Sequence, residues 1–236
     1  MVRTSLIAEV GTDAAGLTLA NNLMAHRVDI SHLGRTAQTT GRAFITVTPD
    51  GENAIVVLAL ANTTLTAATV RESLDDQGPA VVLAQRESPA EAVEAAAAWC
   101  VTHASRFILN ASPIAPVSSA LLMSADPLIV NSEEARGILG LTPDDRTDDA
   151  ELARNLLLLA PSAVLTVGRR GIFVAAGDTV TPIPAHEVTA VDTTGTGDEF
   201  AGTLAAWLAL GASLIEAALL GNTAAARLVQ IPRDAR

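Results

Sequence analysis

The chain has 236 residues, of which 49% are hydrophobic and 3% aromatic, enough for a large core filled by Leu, Val, Ile and Ala. Its formal net charge of -11 argues against non-specific binding to nucleic acid or to an anionic membrane. All 15 basic residues are Arg, which excludes a Gly-Lys-Ser/Thr phosphate-binding loop and a pyridoxal Schiff base on lysine.

Strands and helices alternate through the first half of the chain. Residues 5–10 form a predicted strand, and Asp13 is expected to cap a helix over residues 14–26. Two β-branched stretches flank the turn signature Pro49-Asp50-Gly51-Glu52 and predict a β-hairpin. Thr66 is expected to cap the next helix. The remaining predicted elements of this half are a strand at 80–84, a helix at 89–104 and a strand at 107–110.

The second half continues this alternation and adds a second hairpin around Gly177-Asp178. Its predicted strands are 127–130, 163–167, 171–175 and 180–183, and its predicted helices are 133–139, 150–159, 199–210 and 214–229. Alternation of this kind predicts an α/β fold with a mostly parallel sheet covered by helices on both faces. Ligands of such sheets bind beyond the carboxyl ends of the strands. Five candidate polar positions fall at strand ends or helix starts: Glu87, Asn110, Asn131, Gly168 and Asp198.

The remaining features of the composition indicate where the protein resides. Cys100 is the only cysteine, so an internal disulfide is excluded and a reducing compartment is favoured. The start of the chain has too short an apolar run for a signal peptide, and no apolar stretch has the length and flanks of a membrane span. We expect a cytoplasmic protein that binds neither membrane nor nucleic acid.

The segment Thr194-Gly195-Thr196-Gly197-Asp198 precedes a strongly apolar helix. Glycines let the backbone approach a ligand closely, and the first amides of a helix attract an anion. An adjacent aspartate can accept a proton from an attacking hydroxyl group. This combination is what phosphoryl transfer requires, although a tight turn before a helix would explain the tetrapeptide Gly-x-Gly-Asp equally well.

The longer segment from Val191 to Gly202 resembles the signature of the ribokinase-like (PfkB) carbohydrate kinases. The resemblance implies a three-layer α/β sandwich with a small β-hairpin lid at about residues 40–62. It also implies that Asp198 is the catalytic base and contacts the sugar, and that the amides of Gly195, Thr196 and Gly197 bind the transferred phosphate. Asp192 and Thr194 match positions that bind a monovalent cation, K⁺, in many members.

Further segments resemble the family in the same order along the chain. By this resemblance Asn131 faces phosphate, and Glu134 organises Mg²⁺ through water, although Asn-x-x-Glu is by itself typical of a helix cap. The segment containing Thr166, Gly168 and Gly171 would bind ATP, together with Asn222 near the adenine. Glu87 would contact the sugar. The resemblance also implies a homodimer formed through the lid.

The chain departs from the family pattern at both ends. The opening strand, a sugar-binding aspartate and a Gly-Gly-x-x-x-Asn segment are absent, and a glycine-containing loop is replaced after Gln230. We therefore expect a single domain over residues 1–236 that is N-terminally truncated and incomplete at both ends, through either a misassigned start or a genuine truncation. Leu60 stands where the family usually has glycine.

The resemblance implies transfer of the γ-phosphate of ATP to a sugar hydroxyl, with D-ribose as the acceptor and ribose 5-phosphate as the product. Two alternatives stay open. The acceptor could be a ketose, a sugar acid or a nucleoside, or the chain could be a non-catalytic nucleotide-binding remnant. A Rossmann dehydrogenase is disfavoured, since no Gly-x-Gly-x-x-Gly opens the first strand–helix unit.

Overall fold

The computed structural model describes residues 2–47, 53–142, 144–232 and 235. The chain divides into two compact units. The smaller unit consists of Met1–Gly78 with Glu87–Ala96, and the larger unit consists of Pro79–Arg86 with Ala97–Arg236. The expectation of one domain over the whole chain stays a prediction.

The smaller unit contains two separate two-stranded sheets. Strands β1 (Ala8–Gly11) and β2 (Leu33–Thr36) pair in parallel and are joined through helix α1 (Ala14–Ala25). Strands β3 (Arg42–Val47) and β4 (Asn53–Leu58) pair antiparallel, which confirms the predicted hairpin, while its turn signature at 49–52 lies outside the described residues. A 3-10 helix (Leu60–Thr64) and helix α2 (Ala67–Gln77) follow. Strand β2 was not predicted, because a four-residue stretch containing glycine carries little strand signal of its own.

Asp13 joins the start of α1 to the segment that leads into β3. Its Oδ1 accepts hydrogen bonds from the Gly16 amide at 2.9 Å and from the Thr40 hydroxyl at 2.5 Å. Its Oδ2 accepts from the Thr40 amide at 3.1 Å. The predicted helix cap is therefore confirmed, and Asp13 also holds the buried Thr40. These hydrogen bonds lower the pKa of Asp13 below its usual value, and the bond from the Thr40 hydroxyl has the largest effect.

We expect this network to make folding stability sensitive to acid. Because the pKa of Asp13 is lower in the folded protein, its contribution is complete above the unfolded pKa of about 3.9 and is lost as pH falls through the folded value. Thermal unfolding between about pH 5 and 2 should show a smaller loss of stability in Asp13→Asn than in the unmodified protein. The control is Asp178→Asn in the second hairpin turn, which should follow the unmodified protein. An Asp13→Asn curve parallel to that of the unmodified protein would contradict this prediction.

Leu60 adopts a left-handed backbone conformation with φ of 46°. A side chain in this region costs roughly 1–2 kcal/mol, whereas glycine enters it freely. The family's usual glycine at this position is thus explained by the left-handed backbone at the first residue of the 3-10 helix. This chain tolerates the strained leucine there.

The larger unit contains a six-stranded sheet with the strand order β10-β9-β8-β7-β6-β5. Its strands are β5 (Val81–Ala84), β6 (Arg106–Asn110), β7 (Leu128–Asn131), β8 (Ser162–Thr166), β9 (Ile172–Ala176) and β10 (Thr179–Ile183). Strands β5 to β8 are parallel, and β9 and β10 are antiparallel, so the mostly parallel sheet and the second hairpin are confirmed.

Helix α3 (Ala90–His103) begins in the smaller unit and continues into the larger one. The larger unit also contains α4 (Ser119–Ser124), α5 (Ser132–Ile138), α6 (Asp149–Leu156), α7 (Thr196–Ala209) and α8 (Leu214–Leu228). One face of the sheet, carrying Ile108, Ile129 and Val164, packs against α7 and α8 in a hydrophobic core cluster. Alternate strand residues such as Leu109 and Leu165 are buried on the opposite face, on the side of α5 and α6. The helices therefore cover both faces, as expected for an α/β layered fold.

Two further observations concern the core of the described chain. Cys100 is buried, and burial raises the pKa of its thiol to about 11, so it behaves as a small core residue. Helices α7 and α8 approach so closely that a Cβ on Gly221 would lie 3.0 Å from the Phe200 carbonyl oxygen.

Among the described residues, no helix combines the length and apolar character needed to cross a membrane.

Candidate active site

The carboxyl ends of four parallel strands lie along one edge of the six-stranded sheet. Asn131 and Thr166 end β7 and β8 and are register partners. Asn110 ends β6 and is buried, and Gln85 follows the last residue of β5. Because parallel strands place their carboxyl ends at the same edge, these polar side chains mark the place where such sheets bind ligands.

The start of α7 differs from the starts of six other α-helices in the described part of the chain. Gly195 precedes the helix with φ of 74°, a conformation that glycine adopts without strain, and no side chain caps the helix within the described chain. Helices α1, α2, α4, α5, α6 and α8 each begin with a side chain that accepts a hydrogen bond from a first-turn amide. The start of α7 therefore presents backbone donors and a positive dipole end to an external anion.

Asp198 lies in the first turn of α7 and is exposed. A Cβ added to the neighbouring Gly197 would meet no atom within 4 Å, so the space beside this turn is open. The Thr196 amide instead donates to the Thr193 carbonyl at 3.2 Å. In this conformation, one of the three predicted phosphate-binding amides, that of Thr196, therefore closes the turn.

The loop before α7 is held by Asp192. Its Oδ1 accepts a hydrogen bond from the Thr194 amide at 2.8 Å, and its own amide donates to the Val229 carbonyl at 3.1 Å. The two residues predicted to bind a monovalent cation therefore contact each other directly in the turn. They fix the path of the chain into Gly195.

The side chain of Gln85 contacts Asp198. Its Nε2 donates to Asp198 Oδ1 at 2.7 Å, across a separation of 113 residues. In the segment Gln85-Arg86-Glu87, Glu87 was the predicted site residue, and Gln85 was not predicted. The available signal was its position immediately after a strand whose carboxyl end belongs to the ligand-binding edge. Glu87 is exposed and belongs to the smaller unit.

Asn131 and Glu134 form a reciprocal cap at the start of α5. The Asn131 side chain accepts from the amides of Glu133 and Glu134, both at 2.9 Å, and Glu134 Oε2 accepts from the Asn131 amide at 2.8 Å. Glu134 is buried. The capping interpretation of Asn-x-x-Glu is confirmed, and any contact with phosphate or Mg²⁺ would be added to this role.

Replacing Asn131 by alanine should lower the free energy of unfolding by about 1 kcal/mol, because the first-turn amides of α5 lose their acceptor. Asn131→Asp is the matched control, since aspartate caps helices about as well as asparagine. Urea unfolding of both variants measures the difference. Equal stability of Asn131→Ala and Asn131→Asp would contradict a capping role.

The segment between β8 and β9 contains two glycines with positive φ. Gly168 has φ of 56°, and a Cβ there would meet nothing within 4 Å. Gly171 has φ of 93°, and a Cβ there would lie 2.1 Å from the Ile183 carbonyl oxygen. The positive φ at both positions therefore favours glycine, and at Gly171 the close approach of the Ile183 carbonyl also leaves no room for a side chain.

Asn222 lies on α8 and is buried, and its Nδ2 donates to the Pro184 carbonyl at 2.9 Å. The adjacent Thr223 hydroxyl is 3.0 Å from His186 Nε2. Asn222 thus connects α8 to the segment that follows β10, the same segment against which Gly171 packs. Two of the predicted nucleotide-side residues, Gly171 and Asn222, therefore lie against the same segment.

Known proteins resemble this chain in sequence and in fold. A ribokinase of Staphylococcus aureus (strain COL) is 31% identical over 96% of this chain and 76% of its own length. The crystal structure of a ribokinase from Thermotoga maritima is 25% identical, with a TM-score of 0.82 over 96% of this chain and 75% of its own. The structure of Arabidopsis thaliana ribokinase complexed with ribose and ATP shares the fold, with 23% identity and a TM-score of 0.85 over 97% of this chain and 76% of its own.

The sequence profile of the pfkB family of carbohydrate kinases matches residues 1–234, nearly the whole chain. The fold expected from the sequence is confirmed by these structures, and the expected enzyme class, an ATP-dependent carbohydrate kinase, is confirmed by the family. This chain belongs to the pfkB family of carbohydrate kinases.

Proposed function

We propose that this chain transfers the γ-phosphate of ATP to a hydroxyl group of a small sugar, with Asp198 as the base. The observation that carries this function is the start of α7, where an exposed carboxylate adjoins a helix terminus without a side-chain cap. Asp198 accepts the hydroxyl proton as the sugar oxygen bonds to the γ-phosphorus, while the bond from that phosphorus to the departing ADP oxygen breaks. The amides of Gly195, Thr196 and Gly197 stabilise the negative charge on the transferred group.

The nucleotide would bind along the carboxyl ends of β7 and β8. Asn131 and Thr166 end these strands, Gly168 and Gly171 follow β8, and Asn222 lies against the segment after β10. Asn131→Asp keeps the helix cap but adds a negative charge, so it should weaken ATP binding by repelling phosphate without lowering stability. Unchanged affinity, measured by ATP titration calorimetry, would contradict the phosphate contact.

Mg²⁺ and K⁺ are the cations that we propose for this function. A carboxylate such as that of Glu134 suits Mg²⁺, which is held mostly by water and substrate phosphates and neutralises phosphate charge when bound. Glu134→Gln tests this role, because glutamine retains an acceptor for the cap and removes the charge. Asp192 and Thr194 are the residues that would hold K⁺, since hard cations prefer oxygen ligands.

We propose D-ribose as the acceptor, phosphorylated at its primary hydroxyl. The support is the name ribokinase on the relatives from S. aureus and T. maritima. ADP release should be measured with D-ribose, a ketose, a sugar acid and a nucleoside. D-ribose should give the largest kcat/KM, and a higher value with another acceptor would replace it. Thermal stabilisation by ATP without turnover on any acceptor would identify a non-catalytic nucleotide-binding protein.

We also propose that the hairpin β3–β4 forms a homodimer contact. Phe44 and Val56 are cross-strand partners and are 54% and 59% exposed, and Val57 and Leu58 are exposed beside them. An apolar hairpin surface of this kind loses water on pairing. Phe44→Glu should shift the sedimentation coefficient from dimer to monomer, while Leu158→Glu on another exposed site should not. A monomeric unmodified protein at micromolar concentration would contradict this contact.

A further inference from the structure

The hydrogen bond from Gln85 to Asp198 has the length typical of a charge-assisted contact. The Nε2–Oδ1 distance is 2.7 Å, at the short end of the range for an N–H donor on a carboxylate. Gln85 is half-buried and Asp198 is exposed, so the carboxylate is held from the protein side and open to solvent on the other. The contact thus fixes one oxygen of the group that is to act as base.

Both partners are attached to rigid elements. Ala84, immediately before Gln85, pairs with Leu109 in the parallel sheet. Immediately after it, the Arg86 amide donates to the Ser112 carbonyl at 2.9 Å, and Arg86 Nη1 reaches the Ala115 carbonyl at 3.4 Å. Asp198 lies in the first turn of α7, which packs against β5. The backbone of Gln85 is therefore anchored on both sides, so its amide can hold Asp198 in one orientation.

The chemistry of an amide suits this position. Glutamine donates an N–H bond but carries no proton that titrates near neutral pH, so it does not compete with the substrate to protonate Asp198. A glutamate there would repel the base, and a hydrocarbon side chain would leave it free to rotate. With Oδ1 occupied by the amide, Oδ2 is the oxygen that receives the hydroxyl proton. Positioning of this kind affects the chemical step rather than the binding of ATP.

We propose that Gln85 is the positioning residue of the Asp198 carboxylate, and that it sets kcat by holding Oδ1 while Oδ2 takes the proton. This role rests on the proposed kinase function. Gln85→Met, which keeps the length of the side chain, and Gln85→Glu should each lower kcat by about tenfold or more. The KM for ATP should stay within about twofold and the Tm within about 2 °C. Gln77→Met on α2 is the control and should leave kcat unchanged.

Two kinetic outcomes would overturn the role. A kcat within twofold of the unmodified value in Gln85→Met would show that the contact is dispensable. A parallel loss of kcat, ATP affinity and Tm would show that Gln85 supports the structure instead. If the unmodified protein itself shows no sugar-dependent ADP release, the proposed function fails. The hydrogen bond between Gln85 and Asp198 is then tested by a measurement that needs no turnover.

That measurement is the ¹H–¹⁵N spectrum of the side-chain amides. Asp198→Ala should shift the Gln85 Nε2 signals, assigned by their loss in Gln85→Met, because their acceptor is removed. Glu199→Ala, the neighbouring exposed carboxylate, should leave them in place. Gln85 signals that respond equally to both substitutions, or to neither, would overturn the positioning role.

Discussion

Asp198→Asn is expected to lower the rate of sugar phosphorylation by about 10²- to 10⁴-fold, because an amide cannot accept the proton of the attacking hydroxyl group. Asparagine has the size of aspartate, and its carbonyl oxygen can still accept the hydrogen bond from Gln85. The loss should therefore appear in kcat, with the KM for ATP nearly unchanged. Steady-state ADP release at saturating ATP and D-ribose measures the effect.

The control for this substitution is Glu199→Gln. Glu199 is the next residue, is exposed and shares the first turn of α7. Its substitution by glutamine therefore removes the same charge from the same helix terminus. Its kcat should stay within about threefold of the unmodified value, since a surface charge at a helix start contributes less than about 1 kcal/mol. Equal losses in both variants would mean that helix-terminus charge, and not proton transfer, is measured. An Asp198→Asn enzyme within tenfold of the unmodified one would show that the base lies elsewhere.

Gly171→Ala is expected to lower the free energy of unfolding by at least about 2 kcal/mol, for two reasons that add. The residue has φ of 93°, and its new Cβ would lie 2.1 Å from the Ile183 carbonyl oxygen and 2.5 Å from the Ala185 amide nitrogen. Relief of this overlap requires the backbone after β10 to move. That movement would displace the Pro184 carbonyl that Asn222 holds, so ATP affinity should fall together with stability.

Gly168→Ala separates strain from overlap. Its φ of 56° is also left-handed, but its Cβ would meet nothing within 4 Å, so only the conformational cost of about 1–2 kcal/mol applies. Urea unfolding should therefore rank the unmodified protein above Gly168→Ala, and Gly168→Ala above Gly171→Ala. Equal stability of the two variants would show that the backbone after β10 yields without cost.

The local elements of the fold were predictable because their signals lie within a few residues of each other. Asp13 and Thr66 cap the helices that they were expected to cap. The hairpin around Gly177-Asp178 forms as predicted, since two β-branched stretches flank a two-residue turn. Strand β2 and helix α4 were missed because each is short. Strand β2 forms by pairing with β1, and α4 buries its own Leu121 and Leu122.

The candidate site was likewise predictable where its signals are local, and the structure adds the rest. The pattern Asn131-x-x-Glu134 predicted a helix cap, and it forms one. The segment Gly195–Asp198 predicted a turn that opens a helix, and the structure adds that no side chain caps this helix within the described residues. Glycine at 171 was assigned to nucleotide binding, whereas the structure adds a packing reason, the approach of the segment after β10.

The sequence by itself determined the enzyme family, the alternation of strands and helices, and the Asp198 turn. These properties depend on residue types at short, fixed spacings, which set backbone conformation and burial locally. Only the tertiary structure decided which side chain holds Asp198, because Gln85 lies 113 residues away and nothing near either residue encodes their contact. The packing of α7 against β5 brings them together, since buried apolar surface, and not the polar pair, sets the position of that helix.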